Sequence, residues 1–190
     1  WLVLARVTQF LFIGMAGVTM AFSSRSRRLR HSAVLLGWGM VITFITWVLF
    51  KEQAVKFGVL HFYAVAGILA LPLVRLGAWN AVLGVWILAL SFFVKDLTVG
   101  LPWLFPFGLT NPGFQSLDYF PLLPWFGLFL MGLALSGVLY GPQGRRWGAS
   151  LLAHRPWKWN GVKCFEIIGR YSLWIYLLHQ PILIGILQFF

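Results

Sequence analysis

Apolar runs of about 17 to 22 residues recur along the chain at approximately 1–22, 33–50, 59–76, 78–94, 121–140 and 171–190. As a helix rising about 1.5 Å per residue, each run is long enough to cross roughly 30 Å of hydrocarbon. The pattern predicts an all-α fold, a polytopic transmembrane bundle of about six spans forming one integral-membrane domain over 1–190. The polar positions between the runs alternate in charge. Arg25, Arg27, Arg28, Arg30 and His31 follow the first run, Arg75 follows the third, and Arg145, Arg146, Arg155, Lys158, Lys163 and Arg170 follow the fifth. The other connections carry Lys51, Lys56 and Lys95 beside Glu52, Asp96 and Asp118. The positive-inside rule then puts the arginine-rich connections in the cytoplasm and both ends of this stretch of chain on the far side.

One apolar segment does not read as a helix. Residues 99–123 contain Pro102, Pro106, Pro112 and Pro121, which remove amide donors and break helical geometry. Its aromatic, apolar character predicts a non-helical segment before the fifth span, lying in the interface or dipping into the bilayer against protein or a wet cavity.

Composition narrows the function classes. With 60% hydrophobic residues, 11 Trp, 18 Phe and a mean hydropathy of +0.83, the chain has too much apolar surface for one soluble core. The net charge of +11 would point to nucleic acid in a soluble domain. Here the basic residues sit between apolar runs and serve topology, so no nucleic-acid partner is expected. A single cysteine, Cys164, allows no internal disulfide, and no Cys/His cluster has metal-ligand spacing. No metal is expected. No serine-hydrolase elbow, phosphate loop or dinucleotide fingerprint occurs either.

The candidate chemistry therefore rests on rare polar groups in apolar surroundings. Asp118 is one of four acidic residues and stands at the mouth of the fifth run. His179 lies about nine residues into the last run, near the membrane midplane, with Gln180 and Pro181 following. An intramembrane imidazole reads either as a proton-transfer or ligand group or as a neutral bridge between helices. His61 opens the third span near the outer surface, as a catalytic base or as a member of an aromatic belt with Phe62 and Tyr63. A carboxylate such as Asp118 would orient such a ring, a pairing that spacing alone leaves open. Arg6 either snorkels to the interface or meets a buried partner such as Asp118. Arg25, Arg27, Arg28, Arg145 and Arg146 mark the cytoplasmic side and are also candidate phosphate ligands. Gly14, Gly17, Gly132 and Ser136 read as close-packing positions.

Three stretches carry a resemblance: Lys56-Phe-Gly-Val-Leu-His61-Phe, Asp118-Tyr-Phe-Pro-Leu-Leu-Pro-Trp125-Phe-Gly, and Gly169-Arg-Tyr-Ser-Leu-Trp-Ile-Tyr-Leu-Leu-His179-Gln180-Pro-Ile. Together they resemble bacterial membrane proteins related to the catalytic domain of heparan-alpha-glucosaminide N-acetyltransferase, over nearly the whole chain. The resemblance implies an acyltransferase that moves an acyl group from cytoplasmic acetyl-CoA or another acyl-CoA to an amino sugar or other glycan across the membrane. It implies His61, Asp118 and His179 as motif residues lining the cavity, and these are the catalytic candidates. Arg6, Trp125 and Gln180 are the substrate-binding candidates. The family pattern begins with a helix ahead of the one that Trp1 opens, which the resemblance implies carries the polar and histidine positions credited with acyl transfer, roles that no residue of this sequence inherits, so one further span is expected upstream.

The expected setting is a bacterial inner membrane, with the bilayer, a glycan or amino-sugar acceptor and a second copy of the chain as partners. Two rivals carry different expectations. A transporter or flippase of a small solute or lipid-linked sugar would use His179 and Asp118 for binding or proton coupling. A scaffold would use the polar groups only to join helices.

Overall fold

The computed structural model describes residues 2–94, 97, 102–111, 113–140 and 171. The chain divides into two units, Trp1–Arg146 and Trp147–Phe190, and every described residue except Tyr171 belongs to the first. Among the described residues there are five α-helices: α1 Leu2–Met20, α2 Arg25–Phe50, α3 Val59–Leu73, α4 Trp79–Val94 and α5 Leu122–Tyr140. Short 3-10 turns occupy Lys51–Gln53, Val74–Leu76 and Pro102–Phe107. The described residues are all-helical apart from loops and one isolated parallel bridge between Phe57 and Tyr119.

Among the described residues three helical stretches are long and apolar enough to cross a membrane: Arg25–Gln53, Val59–Leu76 and Leu122–Tyr140. The fourth expected span is a shorter apolar helix, α4, of 16 residues, and α1 has 19. The span expected at 171–190 lies, but for Tyr171, outside the described residues. In the Pro-rich stretch, the described part ahead of α5 holds the turn at Pro102–Phe107 and otherwise no helix.

The second helix differs from the sequence expectation at its start. Arg25, Arg27, Arg28, Arg30 and His31 stand in the first turns of α2, and the connection from α1 shrinks to 21–24. Ser24 is the physical reason. It holds an extended backbone (φ −68°, ψ 154°), and its Oγ accepts the Arg27 N–H at 3.4 Å, which starts the helix before the apolar run begins. Hydropathy sees the charges and reads a loop, whereas a capped helix carries them past the hydrocarbon edge. At about 1.5 Å per residue the 26 residues of α2 reach about 39 Å, longer than the bilayer core. Lys51, with φ 42°, ends the helix and donates its N–H back to Trp47 O.

The α3–α4 hairpin is closed by Asn80. Its side chain is fully buried and donates through Nδ2 to Leu73 O at 2.8 Å and Gly77 O at 3.0 Å, satisfying one carbonyl at the end of α3 and one in the reversal. Gly77 takes φ +54° at the reversal, a conformation that costs glycine nothing.

Packing centres on α5, which lies against α1 and α4 and touches α3, while α2 pairs with α3. The α1–α5 contact is backbone on backbone: a Cβ at Gly17 would run into Phe129 O, and one at Gly132 into Gly14 O. Gly84 and Gly127 make the same approach between α4 and α5. Small residues at helix crossings let backbones meet where lipid offers no hydrophobic drive for association. Ile13, Phe62 and Leu130 fill the junction of α1, α3 and α5. Large apolar side chains such as Trp47, Trp86 and Phe93 face outward, as a surface in contact with acyl chains would.

Candidate active site

The loop after α2 and the loop before α5 are buckled together. Leu117 N–H donates to Gln53 O at 2.9 Å and Phe120 N–H to Phe57 O at 2.9 Å. Ser116 Oγ accepts the Lys56 N–H at 3.2 Å and contacts the carbonyls of Asp118 at 2.8 Å and Ala54 at 3.2 Å. A ring cluster covers the buckle: Phe114 stacks on Phe105 and packs on Tyr119, and Lys56 Nζ lies 4.7 Å over the Phe114 ring. Tyr119 donates its hydroxyl to Phe105 O at 2.6 Å, and burial pushes its phenol up to about 12, so it is a neutral donor.

This buckle delivers Asp118 to the start of α3. The N-cap residue, Gly58, has no side chain with which to accept an amide. Asp118 supplies the acceptor from 59 positions away, its Oδ2 receiving the Val59 N–H at 2.9 Å. The close fit requires glycine, since a Cβ at position 58 would collide with the carboxylate. A negative group at a helix N-terminus is also favoured by the helix dipole. Burial raises the Asp118 carboxyl above its ordinary value, and the Val59 bond opposes that rise. The bond engages one carboxylate oxygen and leaves the other to a further partner.

His61 sits half a turn further along α3 and is 5% exposed. Its Nε2 lies 3.4 Å from Thr43 Oγ1 on α2. The ring rests on Gly39, where a Cβ would come within 3.0–3.1 Å of its atoms, and Phe57 packs against it at 5.8 Å. Thr43 in turn donates to Val55 O at 2.7 Å, and Thr46 accepts the Val55 N–H at 3.0 Å. The structure thus gives His61 and Asp118 separate partners at the first turn of α3. They belong to one site because the same turn positions both, and the direct pairing weighed from the sequence is replaced by Thr43 for the ring and Val59 for the carboxylate.

The remaining candidates are dispersed. Arg6 is exposed on α1. Trp125 is buried, packs on Phe10 and Phe120, and lines an apolar cleft of about 430 Å³ with Phe10, Leu88, Ser91, Phe107 and Pro121. Neither His61 nor Asp118 lines that cleft. Arg25, Arg27 and Arg28 begin α2 at its opposite end. His179, Gln180, Arg145 and Arg146 lie outside the described residues. Among the described residues no group of three or more His, Cys, Asp or Glu is arranged to hold a metal.

Thr43, Ser116 and Asn80 are the polar residues that sequence reasoning passed over. Thr43 and Thr46 had a signal, two hydroxyls three positions apart within an apolar span. Ser116 and Asn80 had none beyond their polarity.

Comparison with known proteins adds the family. No curated protein and no solved structure matches the chain. The family model described as heparan-alpha-glucosaminide N-acetyltransferase, catalytic, matches residues 1–181, a span that includes all three motif stretches through Pro181. With its apolar helices, the chain is an integral membrane protein that belongs to the heparan-alpha-glucosaminide N-acetyltransferase catalytic-domain family.

Proposed function

We propose that the protein is a transmembrane acetyltransferase that takes the acetyl group from acetyl-CoA on the cytoplasmic side and passes it to an amino sugar or other glycan on the far side of a bacterial inner membrane. One observation carries the reading beyond family membership: α2 bears a cationic cradle at its start and, on the same helix, the hydroxyl that holds His61. From Arg28 to Thr43 the axial distance is roughly 22 Å at about 1.5 Å per residue, the scale of an extended pantetheine arm.

The residues at the start of α2 fit the anionic end of a coenzyme A thioester. Arg25, Arg27 and Arg28 crowd the positive end of the helix dipole, an arrangement that repels itself unless an anion offsets it. Arg28 Nε is buried and has no hydrogen-bond partner among the described residues, a donor suited to a phosphate oxygen. Arg145 and Arg146 are assigned to the same ligand.

At the other end of α2, His61 removes the proton from the acceptor amine or hydroxyl as its electron pair attacks the thioester carbonyl carbon. The carbon–sulfur bond breaks, and the departing thiolate takes the proton from the imidazole, leaving acetylated acceptor and free coenzyme A. Asp118 caps α3 with one oxygen and holds the acceptor with the other, while His179 and Gln180 are assigned to the path between donor and acceptor, Trp125 to the acceptor side, and Arg6 to the outer end of α1.

The test is transfer of label. The full natural protein in proteoliposomes is given acetyl-labelled acetyl-CoA on the side of the arginine-rich loops and a glucosamine-terminated oligosaccharide on the other. Label on the oligosaccharide is the expected result. Oligosaccharide that crosses the membrane chemically unchanged, with no label, would replace the enzyme by a transporter.

A further inference from the structure

We infer that Thr43 is a positioning residue that locks His61 in the tautomer protonated at Nε2, which makes Nδ1 the atom that accepts the acceptor's proton. The inference deepens the proposed function and rests on it for its catalytic consequence, although the tautomer itself does not.

The argument is a count of protons. A threonine hydroxyl has one hydrogen to donate and lone pairs to accept with. Thr43 donates that hydrogen to Val55 O at 2.7 Å. Val55 cannot swing away, because its N–H is held by Thr46 Oγ1 at 3.0 Å, and Thr46 donates its own hydrogen to Ile42 O at 2.8 Å. With its hydrogen committed, Thr43 Oγ1 meets His61 Nε2 at 3.4 Å only as an acceptor. The nitrogen must then carry the hydrogen, and a neutral imidazole protonated at Nε2 has its lone pair on Nδ1.

Geometry keeps the ring in that orientation. Gly39 and Thr43 are four positions apart on α2 and therefore on one face. The absence of a side chain at Gly39 lets the ring lie on the helix surface and reach Thr43 one turn on, while Phe57 packs against it. Turning the imidazole over would present carbon to Thr43 and lose the bond. The line His61 Nε2–H to Thr43 O–H to Val55 C=O points every donor the same way, away from Nδ1.

The consequence for transfer is that the acceptor's proton lands on Nδ1 and the ring becomes cationic. Its Nε2–H bond to Thr43 then turns charge-assisted and strengthens. Thr43 serves as the third group that orients a general base, a task often given to a carboxylate, with a neutral hydroxyl backed by a fixed carbonyl.

The experiment is ¹⁵N NMR of the full natural protein labelled in histidine and held in lipid, with the His61 signals assigned by their loss in His61→Gln. The neutral ring is expected to show protonated Nε2 and bare Nδ1. Thr43→Val is expected to redistribute the hydrogen between the two nitrogens and to lower kcat by roughly 10- to 100-fold with little change in KM. Thr43→Ser is expected to restore both. A wild-type ring protonated at Nδ1 overturns the inference without any variant, as does a Thr43→Val protein whose tautomer is unchanged. If the tautomer is as expected and responds to Thr43, yet the wild-type protein transfers no acetyl group, the lock stands and the acetyltransferase reading falls.

Discussion

Replacing Asp118 by alanine and by asparagine separates its work on the helix from its charge. The Val59 N–H is one of the amides that α3 cannot satisfy internally, and Gly58 offers no side chain to accept it. Asp118 Oδ2, at 2.9 Å, is the acceptor. Loss of an N-cap acceptor costs about 0.5–2 kcal/mol, and burial of the orphaned amide puts Asp118→Ala at the upper end, about 2 kcal/mol. Asparagine keeps an acceptor oxygen and ranks with aspartate as a cap, so Asp118→Asn is expected within about 0.5 kcal/mol of wild type. The charge adds a pH signature. Because burial raises the carboxyl in the folded protein, the folded state binds that proton more tightly than the unfolded one. Between the ordinary carboxylate value and the raised one, stability from this group therefore falls as pH rises. Asp118→Asn should remove that slope. Unfolding in detergent, followed by tryptophan fluorescence from about pH 4 to about pH 8, measures both quantities. An asparagine variant as unstable as the alanine variant, or one that keeps the slope, would refute the assignment of Asp118 as the cap of α3. Acetyl transfer by the stable Asp118→Asn protein reads the second role: lost turnover is expected if the carboxylate also holds the acceptor, and full turnover would leave Asp118 as a cap alone.

Other expected outcomes follow from the same geometry. Asn80→Ala removes a buried side chain that donates to two carbonyls at the α3–α4 turn and should cost about 1–3 kcal/mol in the same unfolding assay, with Asn80→Asp failing to restore it because a carboxylate cannot donate. Gly84→Val places a side chain against Gly127 O in the α4–α5 crossing and should cost about 1–3 kcal/mol, whereas the same change at Gly37, where a Cβ meets nothing within 4 Å, should be nearly silent. Arg28→Ala should raise the Kd for acetyl-CoA by about tenfold, equivalent to about 1.4 kcal/mol, with a smaller salt dependence than wild type; an unchanged Kd would remove the start of α2 from the donor site.

Hydropathy and charge order were enough to predict an all-helical membrane chain and the limits of α3 and α5, because partition into lipid and the sidedness of Lys and Arg act on each segment where it stands. The motif stretches carried the family for the same reason: they are runs of neighbouring residues. The start of α2 was not foreseen: a reading based on polarity assigned the five basic residues to a loop, where Ser24 caps a helix that includes them. Gly17 and Gly132 were identified as close-packing positions from size alone, and the backbone contacts of α1 with α5 bear this out, whereas a Cβ at Gly14 would meet nothing within 4 Å. What the sequence left open was partnership. Asp118 belongs to Val59, 59 positions earlier, and His61 to Thr43, 18 positions earlier. No local rule pairs them, since a hydrogen bond about 3 Å long is decided by how the buckle of two loops and the seating of α3 on α2 bring backbones together. Only the packed bundle determined that the rare carboxylate begins a helix and that a threonine in an apolar span meets the histidine.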